Sequence, residues 1–429
     1  MDRVSGILAS WLNRGLSYAG RLQLIVSVLT SLQVFWASYL CLPKKVLNII
    51  EQKFRSFLWR GIEGDSKGAK ICWSDICLPK KEGGLGIKDL SSWNKALMIR
   101  HIWILSYGTN NLWSSWIKAY HLKGSNLWEA KTPCTCSWNW RKFLHLRPLV
   151  RPIIQHYIGN GSSTSLWFDN WHPDGPLLSK WSPCVVYDSG LPIHATVSSI
   201  VHGDSWSWPA AMSIDLFEIR SRMPSYNPNS NVNDKACWLP SSNGTYSASS
   251  TLASLRTPHP FVPWFKLVWF SQNIPRMSFI LWVAIRGRLS TRDRIHKYDP
   301  MVVTTCVLCN THSESHAHLF FECLFSRAIW TQLMNICGSP WNGLCWNAFI
   351  DWASTHWRGN SPAIVANKLC LGVAVYHIWR ERNCRIFEGT QKTSLVVARS
   401  IIDTIRCRLS SFNLKNHPII ALNWNVNSS

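Results

Sequence analysis

Cys306-Val307-Leu308-Cys309 sets two thiols three positions apart, and His312, His316, His318 and Cys323 follow closely. No other stretch restricts the fold as tightly. A C-x2-C turn aims both sulfurs at one point, and a distal pair of donors can then close a tetrahedron around zinc. Taking Cys306, Cys309, His318 and Cys323 gives C-x2-C-x8-H-x4-C, a closed CCHC site. The stretch from His318 to Cys323 is about one helical turn, which suits presentation of both side chains. His316 and His312 are alternative third ligands. A redox C-x-x-C pair would need a strand–turn–helix setting that does not surround these cysteines. Four donors inside eighteen residues also argue against an unliganded core. A catalytic zinc keeps one position open, so four protein ligands predict a single structural Zn2+.

The charge is as one-sided as the cysteines are clustered. Lys and Arg number 45 against 23 Asp and Glu, a formal net charge of +22 in 429 residues. Residues 1–150 carry 21 basic and 8 acidic side chains, 151–265 carry 6 and 7, and 266–429 carry 18 and 8. Two basic lobes therefore flank a neutral middle. Solvated helix faces normally mix both signs, so a polyanionic partner, RNA or DNA, is the expectation. Arg286, Arg288, Arg292, Arg294 and Lys297, just before the cysteine knuckle, are the candidate phosphate contacts. The alternative for these five is a solvated helix face. The scarcity of acids counts against a carboxylate-rich metal enzyme.

The fifteen cysteines are an odd count in a long chain, and Met1-Asp2-Arg3 does not open a signal peptide. A reducing compartment, nuclear or cytoplasmic, is expected. Cys41, Cys337 and Cys370 stand singly among apolar residues and read as small core hydrophobes. Leu22 to Leu42 lacks charge and is long enough to span a bilayer. However, it contains Gln23, Ser27, Thr30, Ser31, Gln33 and Ser38. Tyr18, Leu22, Ile25, Leu29, Leu32 and Trp36 recur at helical steps, the pattern of an amphipathic helix on a core. No membrane is expected.

The periodicity predicts a mainly α chain with a short-stranded, Trp-rich middle segment (α+β) and a small zinc-stapled helical module near residues 265–335. Helices are expected over Val46 to Trp59, Ser92 to Leu105, Ala363 to Phe387 and Leu395 to Leu409, with a polar break at Gly61 to Gly68. Pro79 to Ile87 reads as a tight glycine-rich turn rather than a phosphate loop, since no Lys-Ser/Thr follows. Trp264 to Ala284 is apolar with a break near Pro275, and Ser290 or Thr291 is positioned to cap a short helix. In the middle, Ser165 to Asp169 and Thr245 to Ser247 read as short strands after turns, and Ser225–Asn233 as a loop. The 27 tryptophans supply amphipathic contact area to irregular segments. The expected segments are 1–125, 126–262, 263–335 and 336–429.

Trp269 through Trp330 resembles the zinc-binding domain near the C-terminus of plant LINE-type (non-LTR) retrotransposon reverse transcriptases. The matching words are Ile274-Pro275-Arg276-Met277-Ser278-Phe279, Arg288-Leu289-Ser290-Thr291-Arg292-Asp293, Cys306-Val307-Leu308-Cys309 and Glu314-Ser315-His316-Ala317-His318. The block closes with Phe320-Phe321-Glu322-Cys323. The resemblance implies His318 as the third ligand, in agreement with the spacing. Leu16 to Ile25, Phe57-Leu58-Trp59, Pro79 to Ile87, Gly161 to Trp171 and Ile378 to Asn383 extend it. They imply a thumb and connection region over 1–125.

Family polymerases hold two metal ions on palm aspartates, including an adjacent pair. This chain has no adjacent Asp-Asp, and beyond Glu388 it has Asp403 as its one carboxylate side chain. The expectation is a non-catalytic, nucleic-acid-binding C-terminal portion, a truncated piece whose fingers and palm would precede Met1. A polymerase subunit with its palm supplied separately, or an inactive genomic relic, are the alternatives. The rest of a retrotransposon ribonucleoprotein is a further expected partner.

Overall fold

The computed structural model describes residues 6, 15–61, 69–107, 111–210, 213–337, 345–411 and 422–425. Among the described residues the chain is mainly helical with two small antiparallel pairs, and it divides into two compact units. One comprises Met1–Thr30, Ile50–Ile87 and His259–Ser429, the other Ser31–Ile49 and Lys88–Pro258. The division cuts across the segments read from composition: 1–125 contributes to both units, whereas 263–335 and 336–429 share one.

In the second unit, helix α1 (Leu90–Tyr107) is buried nearly all round, which explains its near-continuous apolar run. Helix α2 (Trp138–His145) starts at Ser137, whose side chain accepts the Trp140 N–H. Helix α3 (Ala248–Leu255) packs on α1. Strand β1 (Ile154–Tyr157) pairs antiparallel with β2 (Lys235–Trp238), Ile154 opposite Trp238 and Tyr157 opposite Lys235. The tryptophans are structural as expected, with indole N–H groups reaching backbone oxygens: Trp167 to Pro192 at 3.0 Å, Trp171 to Leu166 at 2.8 Å and Trp206 to Tyr226 at 3.0 Å.

The strands expected at Ser165–Asp169 and Thr245–Ser247 are not there. Ser165 makes one isolated bridge to Thr196, and residues 166–168 turn. A remote carboxylate shapes the turn before the first expected strand, and a local one takes that strand's first amide. Asp234 accepts from the N–H groups of Gly159, Gly161, Ser163 and Thr164 at 2.8–3.1 Å and from the Ser163 and Thr164 hydroxyls. Asp169 accepts from the Ser165 N–H at 2.8 Å. Side-chain oxygens have taken donors that a ladder would need. Near Thr245, Asn243 Oδ1 takes the Thr245 N–H at 3.0 Å, and Ser247 caps α3.

Residues 18–39 are helical, but the expected stripe fails at its end. Trp36 is 59% exposed, and Ala37 is buried instead, with Trp93 and Leu97. The side chains of Leu29 and Leu32 lie outside the described residues, as does the polar break beyond Gly61. A buried asparagine fastens the end of this helix: Asn94 accepts the Leu42 N–H at 2.9 Å and donates to Ala37 and Leu40 carbonyls at 2.8 Å.

The first unit holds the helices that follow Pro275. Helix α4 (Pro275–Ile285) begins with Pro275 in its first turn, where no amide donor is needed, and buries eight of its eleven residues. Arg292–His296 forms the short α5 and Leu324–Cys337 forms α6. Trp346–His356 is α7, Pro362–Phe387 is α8 and Ser394–Leu409 is α9. Helix α8 packs on α4 and α9. Among the described residues it is the one helix long and apolar enough to cross a membrane, yet most of its apolar window is buried within the protein. Cys370 lies buried in it, as expected, while Cys41 and Cys337 are half-buried. The glycine-rich stretch is a tight turn. A Cβ on Gly84 would lie 2.0 Å from the Leu78 oxygen, and the Gly83 carbonyl accepts from Trp282 Nε1 at 2.8 Å.

Candidate metal centre

The knuckle is a reverse turn closed on itself. The Cys306 N–H donates to the His312 oxygen at 2.7 Å and the Asn310 N–H to the Cys306 oxygen at 2.8 Å. Asn310 adopts φ +57°, a conformation that asparagine tolerates better than most residues. The distal pair rests on a π-helical turn, His318–Glu322, in which the Cys323 N–H donates to the His318 oxygen at 2.7 Å. An α-helix would set positions five apart about 140° from one another around its axis. The wider i→i+5 turn brings them to one side. The H-x4-C spacing is therefore a π-turn spacing, and this explains how two residues separated by four others can share one ion.

Ligand atoms of Cys306, Cys309, His318 and Cys323 all lie within 4.8 Å of one another. Cys306 Sγ and Cys323 Sγ are 4.0 Å apart, and Cys309 Sγ is 3.4 Å from His318 Nε2. Tetrahedral zinc with its usual bond lengths would place two sulfurs about 3.8 Å apart and sulfur and nitrogen about 3.6 Å apart. The donors thus stand close to the edges of that tetrahedron. Cys306, Cys323 and His318 are buried and Cys309 is half-buried. Hydrogen bonding to Cys323 pulls the Cys306 thiol down to about 6, and the same contact pushes Cys323 well above the usual thiol range. Burial opposes ionisation of Cys309, but the Thr311 hydroxyl, backbone N–H groups and His318 bring it down to about 6. One proton shared between sulfurs is what a metal ion would replace.

The two alternative ligands fall outside the cluster. His312 Nδ1 is 2.8 Å from the Thr311 hydroxyl. His316 is held down to about 4 by burial, and its Nε2 has no hydrogen-bond partner among the described residues.

The five basic residues expected beside the knuckle are not one surface. Arg286 pairs with Asp75 at 2.5 Å and donates to the Gly83 oxygen at 3.0 Å. Arg292 donates to the Thr305 oxygen at 2.6 Å and Arg294 to the Gly287 oxygen. Arg288 and Lys297 are exposed. Thr291 stands at the N-cap of α5, but its side chain makes no cap bond; the Arg292 N–H is taken by Glu314 Oε1 at 2.8 Å instead.

Sequence reasoning missed the support behind the ligands. Glu314, fully buried, receives Arg382 Nη2 at 2.8 Å and Arg382 Nε at 3.2 Å on both oxygens. Arg385 donates to the carbonyls of Val307 and Leu308, both at 3.1 Å, between the two knuckle cysteines. Glu381 holds Arg385 at 2.9 Å and the Lys392 N–H at 2.8 Å. Zinc held by three thiolates and one imidazole would leave a net negative site, and Arg385 would set a positive charge beside it. The signal was available in part: Glu381, Arg382 and Arg385 follow the apolar run Leu369 to Val375 in the same helix.

Residues 246–330 match the family model for zinc-binding in reverse transcriptase. The chain is 28% identical over 354 residues to a protein of Arabidopsis thaliana provisionally named a ribonuclease H protein, covering 78% of this chain and 55% of that relative. It is 27% identical over 145 residues to an uncharacterized mitochondrial protein of the same plant, covering 34% of this chain and 94% of the relative. The chain thus spans about half the length of the longer relative. The segment matching the model for zinc-binding in reverse transcriptase encloses all four donors of a cluster suited to one zinc ion.

Proposed function

We propose that this chain is a non-catalytic portion of a retrotransposon reverse transcriptase that binds RNA or DNA, with zinc contributing folding energy rather than chemistry. The observation that carries this reading is closure of the metal centre. Four converging protein donors leave no position for water or substrate. The lack of an adjacent aspartate pair supports it, because two-metal phosphoryl transfer needs such a clamp. The formal charge of +22 supports the nucleic-acid half, with Arg288 and Lys297 as exposed phosphate contacts.

Binding to structured RNA, measured across a salt series, should weaken steeply as counterions are released. Undetectable binding at low salt would overturn the nucleic-acid half. Primer extension by the purified chain should be blank, and sustained nucleotide incorporation would overturn the non-catalytic half. The name of the longer relative motivates a second reading, hydrolysis of RNA in an RNA–DNA hybrid. Asp403, the carboxylate side chain beyond Glu388, is 3.6 Å from Arg406. Cleavage of a labelled hybrid would establish that second reading in place of the first.

A further inference from the structure

The first unit contains a cavity of about 310 Å³ that collects positive charge from three separate stretches of chain. Arg55 comes from the helix Lys44–Arg60, Lys70 and Cys72 from the stretch before the short helix Trp73–Cys77, and Arg288 from the turn after α4. Buried Ile71 and Trp73 anchor the middle stretch. Lys70 Nζ donates to Ser290 Oγ at 2.7 Å, which ties that stretch to the turn carrying Arg288. Lys70 keeps two of its three protons for another acceptor. Among the described residues, the guanidiniums of Arg55 and Arg288 have no ion pair and no side-chain hydrogen bond. Arg55 is half-buried and Arg288 exposed, so both are reachable from solvent. Asp75 is the one carboxylate residue on this wall among the described residues, and Arg286 already pairs with it at 2.5 Å.

Three like charges without a counter-ion repel one another, and partial burial strips some of their hydration. Lys70 shows the effect: burial, with Arg294 and Arg382 nearby, pulls its ammonium below the ordinary value. An anion would relieve both costs. Planar guanidiniums match phosphate oxygens in pairs, and a lysine adds a point charge. Donors arriving from three stretches call for more anionic oxygens than the pair an internal phosphodiester leaves free. A terminal phosphate offers three, with a charge of about −1.5 to −2 at neutral pH. The volume, at the small end of ligand sites, admits a phosphate and the sugar that bears it. We propose that this cavity seats a terminal phosphate, held by Arg55, Arg288 and Lys70, whether at the 5′ end of a nucleic-acid strand or as free inorganic phosphate. The strand-borne case rests on the nucleic-acid reading above and deepens it, because it distinguishes the end of a strand from its length.

The test uses the full zinc-loaded chain and RNAs of one sequence, labelled at the 3′ end and carrying either a 5′ phosphate or a 5′ hydroxyl. By anisotropy the phosphorylated strand should bind about tenfold tighter, the order of one added charge-assisted hydrogen bond. Arg55→Gln should bring that ratio down to about one. Cys72 supplies a readout that needs no variant and serves if Arg55→Gln does not fold. Its exposed thiol lines the cavity. The Ser74 hydroxyl, which donates to it at 3.1 Å, and the charge of Arg55 pull it below the ordinary value, so N-ethylmaleimide should label it at neutral pH. Inorganic phosphate should slow that labelling more than chloride at equal ionic strength, without protecting exposed Cys184 in the other unit. Protection of Cys72 with equal binding of the two RNAs would keep the seat and assign it to free phosphate. Protection with no RNA binding would also keep it, and would overturn the nucleic-acid reading. RNA bound equally through either end, with Cys72 unprotected, would overturn the seat and leave the nucleic-acid reading standing. A 5′-phosphate preference that survives Arg55→Gln unchanged would overturn the seat as well.

Discussion

Two irregular segments of this molecule solve the same problem by opposite means. The hairpin from Thr304 to Cys323 and the loop from Ile158 to Ser165 both lack a regular ladder, so their polar backbone needs other partners. The hairpin gathers four side-chain donors around a point where zinc fits. The loop wraps its backbone N–H groups around the carboxylate of Asp234. One fastening must be completed by an ion from solution, whereas the other is contained within the chain and depends on a single ionised group. The first should respond to chelators and the second to acid.

The largest effect should come from removing the metal. Structural zinc contributes on the order of 10–16 kcal/mol in small zinc domains. Chelation, or Cys309→Ser or His318→Ala, should therefore abolish hydrogen-exchange protection around residues 304–323 and reduce zinc content from one per chain. Unchanged protection in the Asp234 loop would confirm that the two fastenings are independent. Breaking the support comes next. Arg382→Met strands Glu314 as a buried charge and should cost about 3–5 kcal/mol in urea unfolding. Adding Glu314→Leu should recover part of that loss, because the pair's main cost is leaving one member alone.

Asp234→Asn should cost less, about 2–3 kcal/mol, by replacing a charged acceptor with an amide. The acid response has a definite sign. Burial opposes ionisation of Asp234, but the N–H groups of Gly159, Gly161 and Ser163 and the Thr164 hydroxyl outweigh it and hold its carboxyl below the ordinary value of 3.8. Its contribution is therefore present above the unfolded value and is lost as pH falls through the folded value, below about pH 4. A stability profile flat across that range in the native chain would contradict the loop's assigned fastening. The smallest effects belong to the surface. Arg288→Ala and Lys297→Ala should each weaken RNA binding a few-fold and lower the salt slope by about 1, without sequence preference. Arg292→Ala should instead lower stability, since its guanidinium holds the Thr305 carbonyl.

The four converging donors were legible because their chemistry is local: three cysteines and a histidine at fixed spacing mark the cluster before any tertiary contact is known. The helices were legible for a related reason, since their periodicity lies within each segment. What escaped depends on partners far along the chain. Glu314 meets Arg382 across 68 positions, and the Ile158–Ser165 loop meets Asp234 across more than 70. The misplaced strand at Ser165–Asp169 has a nearer cause, since the Ser165 N–H goes to Asp169 and the Phe168 N–H to the Ser165 hydroxyl within the segment itself. Trp36 was misassigned because its helical step predicted burial, while Ala37 fits the contact with Trp93. The arginines before the knuckle show the same limit. Their number was visible in the sequence, but their engagement with Asp75, Thr305 and Gly287 was not.

The Arg385 clamp bears on how the metal centre could be excised and moved. The family match ends at Trp330, and a fragment cut there would retain every ligand. It would lack the guanidinium that holds the Val307 and Leu308 carbonyls, the arginine opposite Glu314, and the Glu381–Lys392 contact that steadies the clamp. The smallest transplantable form of this centre therefore extends past Lys392, well beyond its own ligands.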